Sequence, residues 1–209
     1  MIAIDTFLII FLFSLFACSH TLLASNKIKI LLSEKLGVKI AFYRLFYNLS
    51  SIIFFIVFYA LSPKPGIIVY DLQFPFDIIT FALQVLSLIG LVWATRLIDL
   101  KEFVGMSQIE RYLRGEYKTE DLDEKQILKT CGAFKFVRHP VYLFSILFLG
   151  LRPTMDFFYF IMFICSVVYF YIGSIYEERK LTEIFGDEYT EYQKRVPRLF
   201  PLKIKRNIK

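Results

Sequence analysis

The chain contains only two histidines, His20 and His139, and the second lies in its densest stretch of potential chemistry. That stretch reads Gly132-Ala133-Phe134-Lys135-Phe136-Val137-Arg138-His139-Pro140-Val141-Tyr142. Proline suits the first turn of a helix, where its missing N–H would be unpaired anyway. Arg138 and His139 therefore lead into a helix N-terminus, whose free N–H groups and dipole attract carboxylates and phosphates. The same pair could instead anchor a helix at a membrane interface. A second cluster, Glu177-Glu178 with Tyr189 and Tyr192, follows an apolar block. Its carboxylates could meet a cationic ligand, or pair with the adjacent Arg179 and Lys180. Arg96 and Asp99, one turn apart at the end of another apolar block, could form an ion pair. His20 is the ionisable group late in the first apolar segment, where it either bridges helices or faces a substrate. Cys18, Cys131 and Cys165 are far apart, without metal-ligand spacing. No zinc motif, nucleophile elbow or glycine-rich dinucleotide fingerprint is present, so no metal site is expected.

The elements that must position these residues are apolar. Hydrophobic residues make up 56% of the chain, above the 45–50% usual in soluble domains. They concentrate in blocks such as Phe7–Phe16, Leu49–Leu61, Ile78–Leu91 and Phe157–Ile172, and about 20 apolar helical residues cross a bilayer. The expected fold is all-α: a polytopic membrane bundle of about five transmembrane helices with a C-terminal helical hairpin and an amphipathic tail helix. Residues 1–209 form one membrane domain, with three helices in 1–98 (Ile4–Ala24, Phe42–Leu61, Phe76–Ile98) and a functional core in 99–209. A polar stretch, Asp99–Lys135, precedes Val141–Leu151, the turn Arg152-Pro153 and Met155–Ile175. The segment after Pro140 is short for a crossing: twelve residues reach about 18 Å at 1.5 Å each. The first segment has no basic leader and no small-residue cleavage site, and reads as a retained helix.

Basic residues orient the bundle. Stretches 25–40, 99–140 and 174–209 are rich in Lys and Arg, whereas the intervening turns hold only Lys64 and Arg152. Five crossings put all three rich stretches on one face, which the positive-inside rule makes cytoplasmic. The net charge of +6 thus reads as juxtamembrane attraction to anionic headgroups, and nucleic acid is not an expected partner. After Gly173, Leu181, Ile184 and Phe185 recur at helical spacing, and Gly186 suits a C-cap. A further short helix carrying Tyr189 and Tyr192 ends at Val196-Pro197.

Taken jointly, two motifs are more specific than either alone. Gly132-x5-Arg138-His139-Pro140-x-Tyr142 is followed by Glu177-Glu178-x2-Leu181-x3-Phe185-Gly186-x2-Tyr189-x2-Tyr192-x3-Val196-Pro197-x3-Pro201. The pattern resembles the membrane methyltransferase superfamily of isoprenylcysteine carboxyl methyltransferases and phospholipid methyltransferases, over about Asp99 to Leu202. Ser19-His20-Thr21-Leu22-Leu23-Ala24, Phe103-Val104-Gly105-Met106-Ser107-Gln108 and Arg152-Pro153-Thr154-Met155 look more specifically like the branch of methanethiol S-methyltransferases and NnrU-type proteins. The resemblance implies an S-adenosyl-L-methionine site on the cytoplasmic side, with Gln126, Leu128, His139, Pro140, Tyr142 and Glu177 as cofactor-binding residues. His139 and Arg138 are the implied catalytic residues, and His20 and Gln108 the acceptor-side ones. A small thiol or lipophilic acceptor would enter from the bilayer. Departures are specific: Gly173 stands where prenylcysteine enzymes carry a substrate-binding Arg, Phe134 replaces a Tyr, Phe144 replaces a Gly, and Ser107 replaces the thiol branch's Arg. Alternatives are a phospholipid or isoprenylcysteine methyltransferase, an NADPH-dependent membrane reductase, and a non-catalytic NnrU-like membrane protein.

Overall fold

In a computed structural model, the structure describes residues 1–119 and 127–201. They are overwhelmingly helical, in two compact units: Met1–Pro65 with Ile98–Ile127, and Gly66–Leu97 with Leu128–Lys209. Four apolar runs are long enough to cross a membrane, Ile2–Ala24, Asn26–Leu61, Phe76–Thr95 and Phe157–Phe185, beside a shorter apolar helix, Pro140–Gly150. The protein is a multi-pass integral membrane protein. Its outward faces carry large aliphatic and aromatic side chains, including Phe7, Ile52, Ile56, Phe81 and Ile89, as a lipid-facing surface requires.

In the first unit, α1 (Ile2–Ala24) packs against α3 (Tyr43–Leu61) through Ile9, Phe13 and Phe58. Phe13 meets Phe58 edge-to-face with centroids 5.4 Å apart, and Phe16 meets Phe55 likewise at 5.5 Å. Between them the lysine-rich stretch is not a loop. It forms α2 (Asn26–Leu36), with Ser25 accepting from the Ile28 N–H at its start and Gly37 (φ +55°) ending it. A 3₁₀ turn, Gly37–Phe42, then buries Ile40 and Ala41 against Tyr43 and Tyr117.

The polar stretch contributes α5 (Leu100–Val104) and α6 (Met106–Leu113). Asp99 caps α5 by accepting from the Lys101 and Glu102 N–H groups. Gly105 joins the two helices at φ +99°, and a Cβ there would lie 2.7 Å from the Leu45 backbone nitrogen. The turn therefore requires glycine on both counts.

The second unit holds α4 (Phe76–Thr95), α7 (Pro140–Gly150), α8 (Phe157–Phe185) and α9 (Asp187–Arg195). It also holds an antiparallel ribbon of β1 (Ile68–Asp71) and β2 (Thr154–Asp156), which the sequence reading did not anticipate. Strands this short leave no readable period, and their flanks read simply as turns.

The ribbon has a structural purpose. α7 has 11 residues and reaches about 16 Å, half the thickness of a hydrocarbon core. It runs antiparallel to α4: Phe144 packs at Gly90, and Gln84 donates to the Phe148 carbonyl at 2.9 Å. Beyond Gly150 the chain continues extended, and its backbone groups are paired by β1. Leu72 N–H donates to Pro153 O at 3.0 Å and Phe157 N–H to Ile67 O at 2.8 Å. Tyr70 donates its hydroxyl to the Gly150 and Arg152 carbonyls, which the end of the helix leaves open. Non-helical backbone at membrane depth is tolerated where protein groups satisfy it. The short helix expected after Pro140 is thus followed by a paired strand rather than by a bare turn.

Candidate functional site

The two motifs meet because α7 and α8 are antiparallel neighbours: Gly150 lies against Phe163, and Tyr142 against Phe170. At this pitch His139 is level with Glu177 and Glu178. Successive helical residues point about 100° apart, so the adjacent carboxylates take different environments. Glu178 is buried (3% exposed), while the Glu177 side chain is half open (48%).

Glu178 is the centre of a buried ion-pair network. Arg138 grips it with a two-pronged fork, Nε to Oε1 at 2.8 Å and Nη2 to Oε2 at 3.0 Å, the strongest geometry available to this pair. Arg198 Nη2 adds a 2.9 Å contact to Oε2, and Gln193 Nε2 one of 3.1 Å. His139 Nε2 lies 3.1 Å from Oε1. The remaining Arg138 donor, Nη1, bonds the Gln193 and Val196 carbonyls at the end of α9. Backbone bonds close the clamp, with Arg138 N–H donating to Pro197 O and His139 N–H to Arg198 O. Tyr192 donates to the Phe134 carbonyl at 2.6 Å. Burial, opposed by Arg138 and reinforced by Glu178, pushes its phenol up to about 12, so it stays a donor.

The open side of this network is a wall of rings and one carboxylate. His139 and Tyr142 stack nearly parallel (7°) at 5.3 Å, and Tyr142 stacks in turn on Phe170 at 5.0 Å. Glu177 Oε2 accepts the Tyr142 hydroxyl at 3.0 Å and faces His139 Nδ1 at 3.3 Å. Both imidazole nitrogens therefore face carboxylates. Burial disfavours the imidazolium, but the hydrogen bonds and charges of Glu177 and Glu178 outweigh it, and the His139 pKa is raised above 6.5.

The residues singled out from sequence separate as follows. Arg138, His139, Pro140, Tyr142 and Glu177 come together here, with Pro140 at the first position of α7. Arg138 turns its guanidinium to Glu178 and to backbone carbonyls. Leu128 is half-buried in the same unit, and Gln126 lies outside the described residues. His20 and Gln108 belong to the other unit. His20 bridges α1 and α3, with Nε2 2.7 Å from the Tyr47 hydroxyl and Nδ1 2.8 Å from Ser51 Oγ. Ser51 donates its own proton to the Tyr47 carbonyl, so Nδ1 is the donor toward Ser51 Oγ. Buried Gln108 donates Nε2 to the Glu102 carbonyl and carboxylate, which Arg111 also grips by two nitrogens.

The sequence marked Glu177-Glu178 as a cluster but gave a cofactor role to Glu177 alone, and it passed over Gln193 and Arg198. Glu178 shares a dipeptide with Glu177, and only the helix's rotation decides which of the two is buried. Arg198 sits in the Val196-Pro197-Arg198-Leu199-Phe200-Pro201 terminator, where proline spacing announced a stop and nothing announced a ligand.

Comparison with known proteins finds relatives along most of the chain. Methanethiol S-methyltransferase 1 of Bradyrhizobium diazoefficiens is 31% identical over 195 residues, covering 91% of this chain and 65% of that protein. The methanethiol S-methyltransferase of Pseudomonas deceptionensis is 33% identical over 108 residues, 52% of this chain and 39% of that protein. The chain is homologous to the methanethiol S-methyltransferases. The homologue from Crocosphaera subtropica is 26% identical over 201 residues, 91% of this chain and 72% of its own length. The chain thus spans less than two thirds of the first two of these relatives. No protein-family model and no solved structure matches it.

Proposed function

We propose that this protein is an S-adenosyl-L-methionine-dependent membrane methyltransferase acting on a small thiol, with its cofactor site at the His139–Tyr142–Glu177 wall on the cytoplasmic side. The observation that carries the reading is likeness to proteins named methanethiol S-methyltransferase along 91% of the chain. The donor set of the wall fits the cofactor. An open carboxylate beside a ring face suits a cation, by charge and by cation–π attraction. When bound, S-adenosylmethionine supplies a methyl group on a positively charged sulfur, so displacement needs no covalent intermediate on the protein.

The chain's residues then have positioning work to do. Glu177 and the Tyr142 ring orient the cation, and His139 fixes both by stacking on Tyr142 and bonding Glu177. With carboxylates facing both of its nitrogens, His139 has an orienting role. Arg138 acts through Glu178, locking the lead-in of α7 to the end of α9. A thiol reacts as its thiolate, and its proton must leave. His20, whose Nε2 meets the Tyr47 hydroxyl, and Gln108 remain the acceptor-side candidates. Gly173, one turn before Glu177, supports a small acceptor, since this position offers no guanidinium to hold a prenylcysteine carboxylate.

Calorimetric titration of S-adenosylmethionine into detergent-purified protein, with Glu177→Ala alongside, tests the cofactor. Headspace chromatography for dimethyl sulfide from methanethiol tests the acceptor. Binding that Glu177→Ala loses, with product formed, is the expected result. No binding by folded wild type ends the reading; binding without thiol turnover moves the acceptor to another class.

A further inference from the structure

Arg198 is placed differently from its neighbour Arg138. The Arg138 side chain is 9% exposed, and its Nε, Nη1 and Nη2 all meet acceptors. Arg198 uses Nη2 alone, on Glu178, and its side chain is 32% open. Its Nε is buried with no acceptor among the described residues. A buried donor left unpaired costs roughly 1–3 kcal/mol, so the arrangement favours an incoming acceptor. The guanidinium also lies 5.9 Å from the centre of the exposed Tyr171 ring, which is seven residues, about two turns, before Glu178 on the same face of α8. The backbone holds the residue in place: its carbonyl takes the His139 N–H, and Leu199 beside it is buried.

Charge points the same way. Arg138 and Arg198 match Glu177 and Glu178 in formal charge, and the two arginines do not share the carboxylates equally. Glu178 already receives the Arg138 fork, so Arg198 is not needed to neutralise it.

We propose that Arg198 is an anion-binding residue of this site and takes the carboxylate at the amino-acid end of S-adenosylmethionine. The assignment rests on the cofactor reading above. It puts the ligand's carboxylate at the guanidinium while its cationic groups face Glu177 and Tyr142, so recognition uses opposite charges at the two edges of one wall.

The test compares S-adenosylmethionine with its decarboxylated form, titrated by calorimetry into wild-type protein, Arg198→Gln and Arg198→Lys in neutral detergent. Wild type is expected to prefer the carboxylated ligand by about tenfold or more, the scale of a charge-assisted hydrogen bond. Arg198→Gln should lose that preference while retaining binding of the decarboxylated form, and Arg198→Lys should recover part of it. Equal weakening of both ligands in Arg198→Gln would mean that the residue only supports Glu178, and would overturn the proposal. So would a wild type indifferent to the carboxylate. A lipid phosphate offers the same chemistry. Repeating the wild-type titration with added anionic lipid tests that source: loss of the preference only then marks competition for Arg198 and supports the site. Wild type that binds neither ligand removes the cofactor reading itself, and this proposal with it.

Discussion

Glu177 and Glu178 differ by one position and by everything that follows from it. Removing one partner of a buried ion pair strands the others, at a cost of about 3–5 kcal/mol. Glu178→Gln should therefore lower the thermal midpoint of detergent-purified protein sharply. Glu177→Gln should leave it nearly unchanged while weakening cofactor binding, because that side chain is half in solvent. Equal effects of the two on stability would contradict the network.

His139 gives a pH signature of known sign. Its pKa is raised in the folded state, after its carboxylate neighbours overcome burial. The stabilisation is thus complete below about pH 6.5, the unfolded value, and is lost as pH rises through the raised native value. The wild-type midpoint should fall from mildly acidic to alkaline pH, and His139→Gln should flatten that slope. Parallel slopes in the two proteins would show that His139 is not the group responsible.

At the scale of elements, the site depends on how closely α7 approaches α4 and on what completes its short helix. A Cβ at Gly90 would lie 2.3 Å from a Phe144 ring carbon. Gly90→Val should cost about 1–3 kcal/mol by overpacking, and Phe144→Ala in the same chain should relieve much of it. Additive losses on thermal melting would deny that the two positions are in contact. Tyr70→Phe should cost about 1 kcal/mol, since it uncovers the Gly150 and Arg152 carbonyls without altering shape.

For the whole molecule, the prediction concerns sidedness. Stretch 99–140 carries eight of the basic residues, so the positive-inside rule puts it in the cytoplasm. Cys131 in that stretch is exposed. In intact cells expressing a variant with Cys131 as its sole cysteine, a membrane-impermeant maleimide should leave it unlabelled until the membrane is permeabilised. Labelling of intact cells would invert the orientation and move the site to the outer face.

The sequence by itself determined what depends on local pattern. The apolar blocks predicted about five crossings, of which four are helices of bilayer length and one is the short α7; Pro140 announced the start of α7, and Gly186 and Val196-Pro197 ended α8 and α9 where expected. The two motifs identified most of the residues that meet around His139. Tertiary structure decided what depends on rotation and pairing. Which of two adjacent glutamates is buried depends on the angle at which α8 faces α7, and composition carries no record of it. That Ile68–Asp71 completes a helix from the far end of the unit follows from hydrogen bonds between segments more than eighty residues apart in sequence, each too short to show a period. Arg198 looked like a charge in a terminator; only the fold brings it to Glu178 with a buried N–H left over.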